Sequence, residues 1–226
     1  HDYVAGDELI REAPCAIADP LLEIRSIDLK PDTTQPVWIT VHVPSGTPAG
    51  LYKGEARINS PLGEQIIPME LQVYPFELPQ QRHMYLTNWF SISHITSAHQ
   101  VKRFSKEFWE ILGRYARNMA EHRQNVVYTP WRLVTVYQEP NNTLSFDYSQ
   151  FDRFVETFME AGVDGRIELK HIGAPSRGEH VGRGLYEVDV IDRNSGDTLA
   201  IPGERGVPPL LSSLQKHLAK KGWLEK

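Results

Sequence analysis

The sequence predicts a multi-domain β plus α/β chain. A partial β-sandwich comes first, then the opening βα units of a parallel-strand fold, either a (β/α)8 TIM-like barrel or a doubly wound sheet. Three observations predict it. Apolar residues alternate with period two through the first third of the chain. A proline-bounded segment, Pro75–Pro79, follows. Beyond it, short apolar strands alternate with helical stripes, which implies parallel β-structure joined by crossovers. These place a β-domain at residues 1–79 and the βα part at 80–226, with an inserted hairpin at about 179–206.

In the first part, Val37–Val43 alternates as a strand with one buried face does. Pro44 to Gly50 is a loop dense in turn formers. Leu51–Ile58 is a second strand, whose Gly54 marks a bulge or a close backbone approach. Asn59 to Gly63 turns the chain into a third strand, Glu64–Tyr74. Pro75 and Pro79 then fix φ and withhold donors, as a rigid linker does.

In the second part, His83–Asn88 is a short strand. Ser105 caps a helix to His122, with Phe108, Ile111, Leu112, Tyr115, Ala116 and Met119 on one stripe. Asn125–Thr129 is an apolar strand stopped by Pro130. Ser149 caps the next helix, with Asp152 completing a weak capping box and Gly162 at C′. Phe151, Phe154, Val155, Phe158 and Met159 form its stripe. Arg166–His171 is a third strand. The inserted hairpin pairs Tyr186–Ile191 with Thr198–Ile201 across Asn194–Asp197. A last helix runs from Pro208, in its first turn, to Lys221, with Leu210, Leu211, Leu214 and Leu218 as its apolar face.

Composition narrows the function. The 226 residues are 40% apolar and 23% charged, enough to bury a core. A net charge of −5 with no long basic tract argues against nucleic-acid binding. No apolar run approaches the ~18 residues of a membrane span. Cys15 is the lone cysteine, so neither an internal disulfide nor a thiolate metal cluster is expected. His1 reads as a processed or trimmed start. The compartment stays open between bacterial export, which is favoured, and the cytoplasm. His94, His99 and His122 lack metal-ligand spacing, so no metal is expected. Gly178, Gly182 and Gly184 are in the wrong order for a phosphate loop. There is no GxSxG elbow and no sign of a cofactor.

Strand ends in parallel folds carry the functional loops. That rule points to Asn88 and Trp89 after the first strand, Trp131 and Arg132 after the second, and Lys170 and His171 ending the third. Two tryptophans at successive strand ends suit a carbohydrate pocket, because sugars stack their apolar faces on aromatic rings. The competing readings are core or interface roles for Trp89 and Trp131 and a structural role for His171. An internal ion pair between Glu168 and Lys170 competes with an acid–base pair.

Pro36–Pro44, followed by Pro48–Gly54, resembles the sandwich signature of glycoside hydrolase family 123 and of its relatives in family of unknown function 4091. The exit Leu71–Pro79 is similar to their junction between β-sandwich and (β/α)8 barrel, and Leu218–Leu224 to the helix before their fourth barrel strand. The resemblance implies retaining hydrolysis of β-linked N-acetylhexosamine glycans, of N-acetylgalactosamine type. The substrate's acetamido group is the nucleophile, oriented by an Asp and assisted by a neighbouring Glu acid. In the family that pair follows a helix like Pro208–Lys221. Here the one Asp–Glu dipeptide is Asp7–Glu8, near the N-terminus, where exposed charges are expected.

The expectation is therefore a fragment that contacts glycan through Asn88, Trp89, Trp131, Arg132, Lys170 and His171 and holds no catalytic residue. A non-catalytic carbohydrate-binding or architectural domain is the alternative. The expected partners are a glycan and either a second copy of the chain or a missing C-terminal half.

Overall fold

The computed structural model describes residues 23–79, 82–173 and 184–225. The chain divides into two compact units, His1–Leu78 and Pro79–Lys226.

In the first unit, β1 (Gly50–Ser60) and β2 (Gly63–Val73) form an antiparallel hairpin in unbroken register, from Gly50 opposite Val73 to Ser60 opposite Gly63. Pro61 and Leu62 make the connection, where the Ser60 hydroxyl donates to the Gly63 carbonyl and accepts from the Leu62 N–H. Gly63 takes φ 122°, which suits a residue without Cβ. Gly54 pairs in register with Met69 and has open space where a Cβ would stand, so neither the bulge nor the close approach exists. The expected strand Val37–Val43 is also absent. The segment is irregular and exposed, with Trp38 at 75%. Alternation makes a strand only where a neighbouring strand takes up its backbone groups, and none does so here among the described residues.

The described residues of the second unit form two sheets and four α-helices. His83–Asn88 is not a strand, although its backbone runs beside the chain at residue 125. The Asn125 side chain accepts from the Leu86 N–H and donates to the Met84 carbonyl, and the Leu86 carbonyl takes both the Asn125 and Val126 N–H groups. Side-chain bonds thus replace the ladder. A helix with no sequence counterpart above, α1 (Ile92–His99), follows.

Helix α2 (Lys106–Glu121) begins as expected, with the Ser105 hydroxyl accepting from the Phe108 N–H at 3.2 Å. At its far end Arg82 donates to the Ala120 carbonyl, which also accepts from the Arg123 N–H, and to the Gln124 carbonyl just past the helix. Strand β3 (Val126–Thr129) runs parallel to β6 (Arg166–Leu169), with Tyr128 opposite Glu168.

Between them lie a 3-10 turn (Trp131–Leu133), the antiparallel hairpin of β4 (Thr135–Gln138) and β5 (Leu144–Asp147), and α3 (Ser149–Glu160). Ser149 is the first helical residue, not the cap. The cap position is held by Tyr148, whose side chain makes no cap bond, while Asp147 before it accepts from the Ser149 N–H at 2.8 Å, and Asp152 is used elsewhere. The hydroxyl and N–H of Ser149 hold the Asp147 carboxyl below its ordinary range. Gly162, at φ 95°, ends α3 as expected.

After β6, strands β7 (Val188–Asp192) and β8 (Thr198–Ile201) form the inserted hairpin, whose predicted first residues lie outside the described ones. It does not stand alone. β7 pairs in parallel with β4, giving one sheet in the order β5-β4-β7-β8. Helix α4 (Gly203–Lys221) covers it and starts five residues before Pro208, so this proline is inside the helix and not in its first turn. The early start depends on Gly206, where a Cβ would lie 2.6 Å from Val188 Cγ2.

One apolar core joins these parts. Phe108, Leu112, Phe151, Phe154 and Phe158 pack under Val127, and Val136, Val188 and Val190 meet Leu210 and Leu214. At ~25 cal/mol per Å2 of apolar surface, each phenylalanine buried this way contributes about 2–3 kcal/mol. No described helix is long and apolar enough to cross a membrane.

Candidate functional site

In β3, Val127 packs into the helix-covered core while Tyr128 points to the opposite face, because successive strand residues alternate. The same alternation in β6 puts Ile167 toward the core and Glu168 beside Tyr128. The site is built on that second face, at the C-terminal ends of the two parallel strands.

Trp89 lies flat on Tyr128, ring centroids 5.1 Å apart and planes within 11°. His171, two residues beyond β6, meets Trp89 edge-on, also at 5.1 Å. Tyr128 is 3% exposed, whereas Trp89 is 59% exposed. The upper face of an indole is thus held open to solvent on a rigid aromatic base. Stacked and edge-on contacts of this kind contribute roughly 0.5–1.5 kcal/mol each beyond area burial, which orients the ring without covering it. Burial, then the neighbouring Glu168 charge, pushes the Tyr128 hydroxyl above its ordinary pKa of 10.0, so it remains protonated at neutral pH.

The sequence-predicted residues divide into two groups around this platform. Lys170 and His171 are exposed just beyond the end of β6, and Trp89 is exposed in the irregular segment before α1, not after a strand as expected. Lys170 is anchored by its backbone N–H on the Thr129 carbonyl at 2.9 Å. The exposed Asn88 donates to the buried Gln124 side chain at 3.0 Å, and Gln124 in turn donates to the Val126 carbonyl.

Trp131 and Arg132 are turned to support. Trp131 is 4% exposed, and its indole N–H donates to the His171 carbonyl at 3.0 Å. Arg132 lies over the Trp131 ring and reaches the Asp189 carboxylate at 2.7 Å and the Glu187 carbonyl at 2.9 Å. These contacts tie the loop after β3 to the loop after β6. The expected Glu168–Lys170 ion pair is not formed among the described residues, and the cation Arg166 instead covers the Tyr85 ring.

Sequence reasoning missed Tyr128 as the base of the platform. The signal was present in its position, one residue before the strand end and out of phase with the core residue Val127.

Among the described residues no group of three or more His, Cys, Asp or Glu side chains is placed to hold a metal ion. Cys15 and Asp7–Glu8 lie outside the described residues, as do Gly178 and Gly182. The described polar set offers acceptors and donors for hydroxyl groups (Glu168, Tyr128, His171, Lys170) around an open aromatic face, which is the chemistry of sugar binding.

A family model described as the glycoside hydrolase 123 catalytic domain matches residues 89–226. Another, the glycoside hydrolase 123 N-terminal domain, matches residues 4–60. Among solved structures, the chain is similar to a family 123 glycoside hydrolase from Clostridium perfringens, characterised for glycolipid glycan hydrolysis. The TM-score is 0.65 at 15% identity, over 80% of this chain and 36% of that one. At that identity the likeness shows a shared fold. No curated protein matches the chain.

Proposed function

Because the chain belongs to glycoside hydrolase family 123, with the catalytic-domain match running from residue 89 to 226, we propose that it forms the sugar-contacting wall of a glycosidase. On this reading the first unit belongs to a β-sandwich and the second to the opening part of a (β/α)8 barrel. The observation that carries the proposal is the open indole face of Trp89, fixed at the strand ends by Tyr128 and His171.

The substrate class is a β-linked N-acetylhexosamine glycan of N-acetylgalactosamine type, cleaved with retention by attack of its own acetamido oxygen on the anomeric carbon. An aspartate orients the acetamido group, and a glutamic acid gives its proton to the leaving oxygen. That adjacent Asp–Glu pair does not occur between residues 89 and 226. The roles left to this chain are stacking by Trp89, hydrogen bonding by Asn88, Lys170 and His171, and bracing of the rim by Trp131 and Arg132.

The test is a fluorescence titration of the full chain with methyl β-N-acetylgalactosaminide, beside an assay on the chromogenic β-N-acetylgalactosaminide. Expected are saturable quenching that Trp89→Ala removes, and no turnover. Quenching that survives Trp89→Ala overturns the platform, and strong turnover overturns the assignment of the acid pair to residues other than these.

A further inference from the structure

Among the described residues, two polar groups on the platform face have no bonding partner. Tyr128 and Glu168 are in register on parallel strands and share the face away from the helices. Tyr128 is 3% exposed and Glu168 is half-buried, yet among the described residues neither the hydroxyl nor the carboxylate makes a hydrogen bond or an ion pair. Neither is among the buried unsatisfied side-chain atoms, so both stay within reach of solvent and free to bond a ligand's hydroxyls. Among the described residues, Arg166 lies over the Tyr85 ring and Arg132 is paired with Asp189. Lys170, the residue spaced to pair with Glu168, is exposed and does not.

We propose that Glu168 and Tyr128 are the specificity-determining pair of this site, selecting a neutral sugar with adjacent hydroxyls and rejecting one that carries a carboxylate. The inference rests on the sugar-wall reading given above. An ionised carboxylate only accepts, and its two oxygens can take both hydroxyls of a vicinal pair. The tyrosine hydroxyl can donate to a carbonyl or ring oxygen of the same sugar. A uronic acid stacked on Trp89 would set its carboxylate against Glu168 in a partly dehydrated site, where like charges repel more strongly than in water. Sites built to bond a hydroxyl discriminate sharply, because the wrong ligand leaves their polar groups unpaired.

The position of Glu168 fits this role better than a structural one. Among the described residues its side chain holds no helix end and no turn, and its charge is felt by the tyrosine beside it.

The experiment titrates the full chain and its Glu168→Gln variant with methyl β-N-acetylgalactosaminide and with galacturonic acid, following Trp89-dependent quenching. The wild-type chain is expected to bind the neutral glycoside and to reject galacturonic acid. Glu168→Gln is near-isosteric and uncharged. It should weaken the glycoside by about tenfold or more, the loss typical of a hydrogen bond to a charged group, and narrow the gap to galacturonic acid. The tyrosinate ultraviolet signal of Tyr128 should also appear at lower pH in that variant.

Trp89-dependent binding whose selectivity ignores Glu168→Gln overturns the pair and leaves the wall intact. An unmoved tyrosinate signal overturns the pair as well. Absence of any Trp89-dependent sugar binding overturns the wall and the pair together.

Discussion

Tyr148 and His217 lie face to face, with ring centroids 3.9 Å apart and planes within 7°. The contact centres a polar seam between α3 and α4. His217 Nε2 is 2.6 Å from Asp152 Oδ1, the Tyr148 hydroxyl donates to Ser213 Oγ at 2.8 Å, and Lys221 Nζ reaches both Asp152 and Glu156. The seam explains how a helix with two internal prolines is fixed in place. Its C-terminal half is held by charge and ring contacts while its N-terminal half is held by glycine packing.

Asp152 is the hub of that seam, and Asp152→Ala is expected to be its most damaging single change. It leaves His217 and Lys221 without their shared acceptor in a region about four-fifths buried. The cost should be roughly 1–3 kcal/mol, or several degrees of melting temperature at this chain size. Glu156→Ala removes a carboxylate 47% exposed and should cost under about 1 kcal/mol. Thermal melts followed by circular dichroism would contradict the hub if the two variants fell equally.

Helical glycines in this chain should respond to alanine with opposite signs. At Gly206 a Cβ would meet Val188 Cγ2 at 2.6 Å and Val188 Cβ at 2.7 Å. Overpacking of about 1–3 kcal/mol there should outweigh the ~1 kcal/mol helix-propensity gain. At Gly113 the nearest atoms are the flexible Arg117 Nη1 at 3.6 Å and Thr157 Cγ2 at 4.0 Å. Gly113→Ala should therefore stabilise by up to about 1 kcal/mol. Denaturant midpoints of the two variants on the same side of wild type would refute the close approach of α4 to β7.

Alkali should weaken the fold through Tyr128. Burial, reinforced by Glu168, raises its folded pKa above the unfolded value near 10.0. The unfolded chain then loses this proton at lower pH than the folded chain. The stabilising contribution is complete below about pH 10 and declines as pH rises through the folded pKa. Tyr128→Phe should flatten that part of the stability–pH curve. Retention of the full wild-type slope in the variant would assign the alkaline loss to other groups.

The legible parts of the fold were those with local causes. The stripe of α3, most of that of α2, the Ser105 cap and the Gly162 stop each need only neighbours along the chain and are present, although in α2 Tyr115 is exposed while Trp109 and Ala120 join the buried face. The parts that could not be read depend on distant partners. Val37–Val43 alternates but finds no strand to bond, and His83–Asn88 has its bonds taken by one side chain, Asn125. Residues 203–207 look unfit for a helix until Val188 is seen to require a glycine beneath it. At the candidate site, the strand-end rule pointed to His171, which does follow β6, whereas the strand expected before Trp89 is not formed and that ring reaches the platform from the segment before α1. Tyr128 and Glu168 needed the register of β3 against β6 before they could be recognised as neighbours.

The parallel pairing of β4 with β7 joins two excursions that leave from different strands, one after β3 and one after β6. Arg132 and Asp189 fasten them a second time. Neither loop is therefore a free module. Lengthening, shortening or transplanting one of them would strip hydrogen bonds from the other and unsettle α4 below. Diversification on this side of the rim must proceed by matched changes in both loops, or by single side chains on a frame that stays the same.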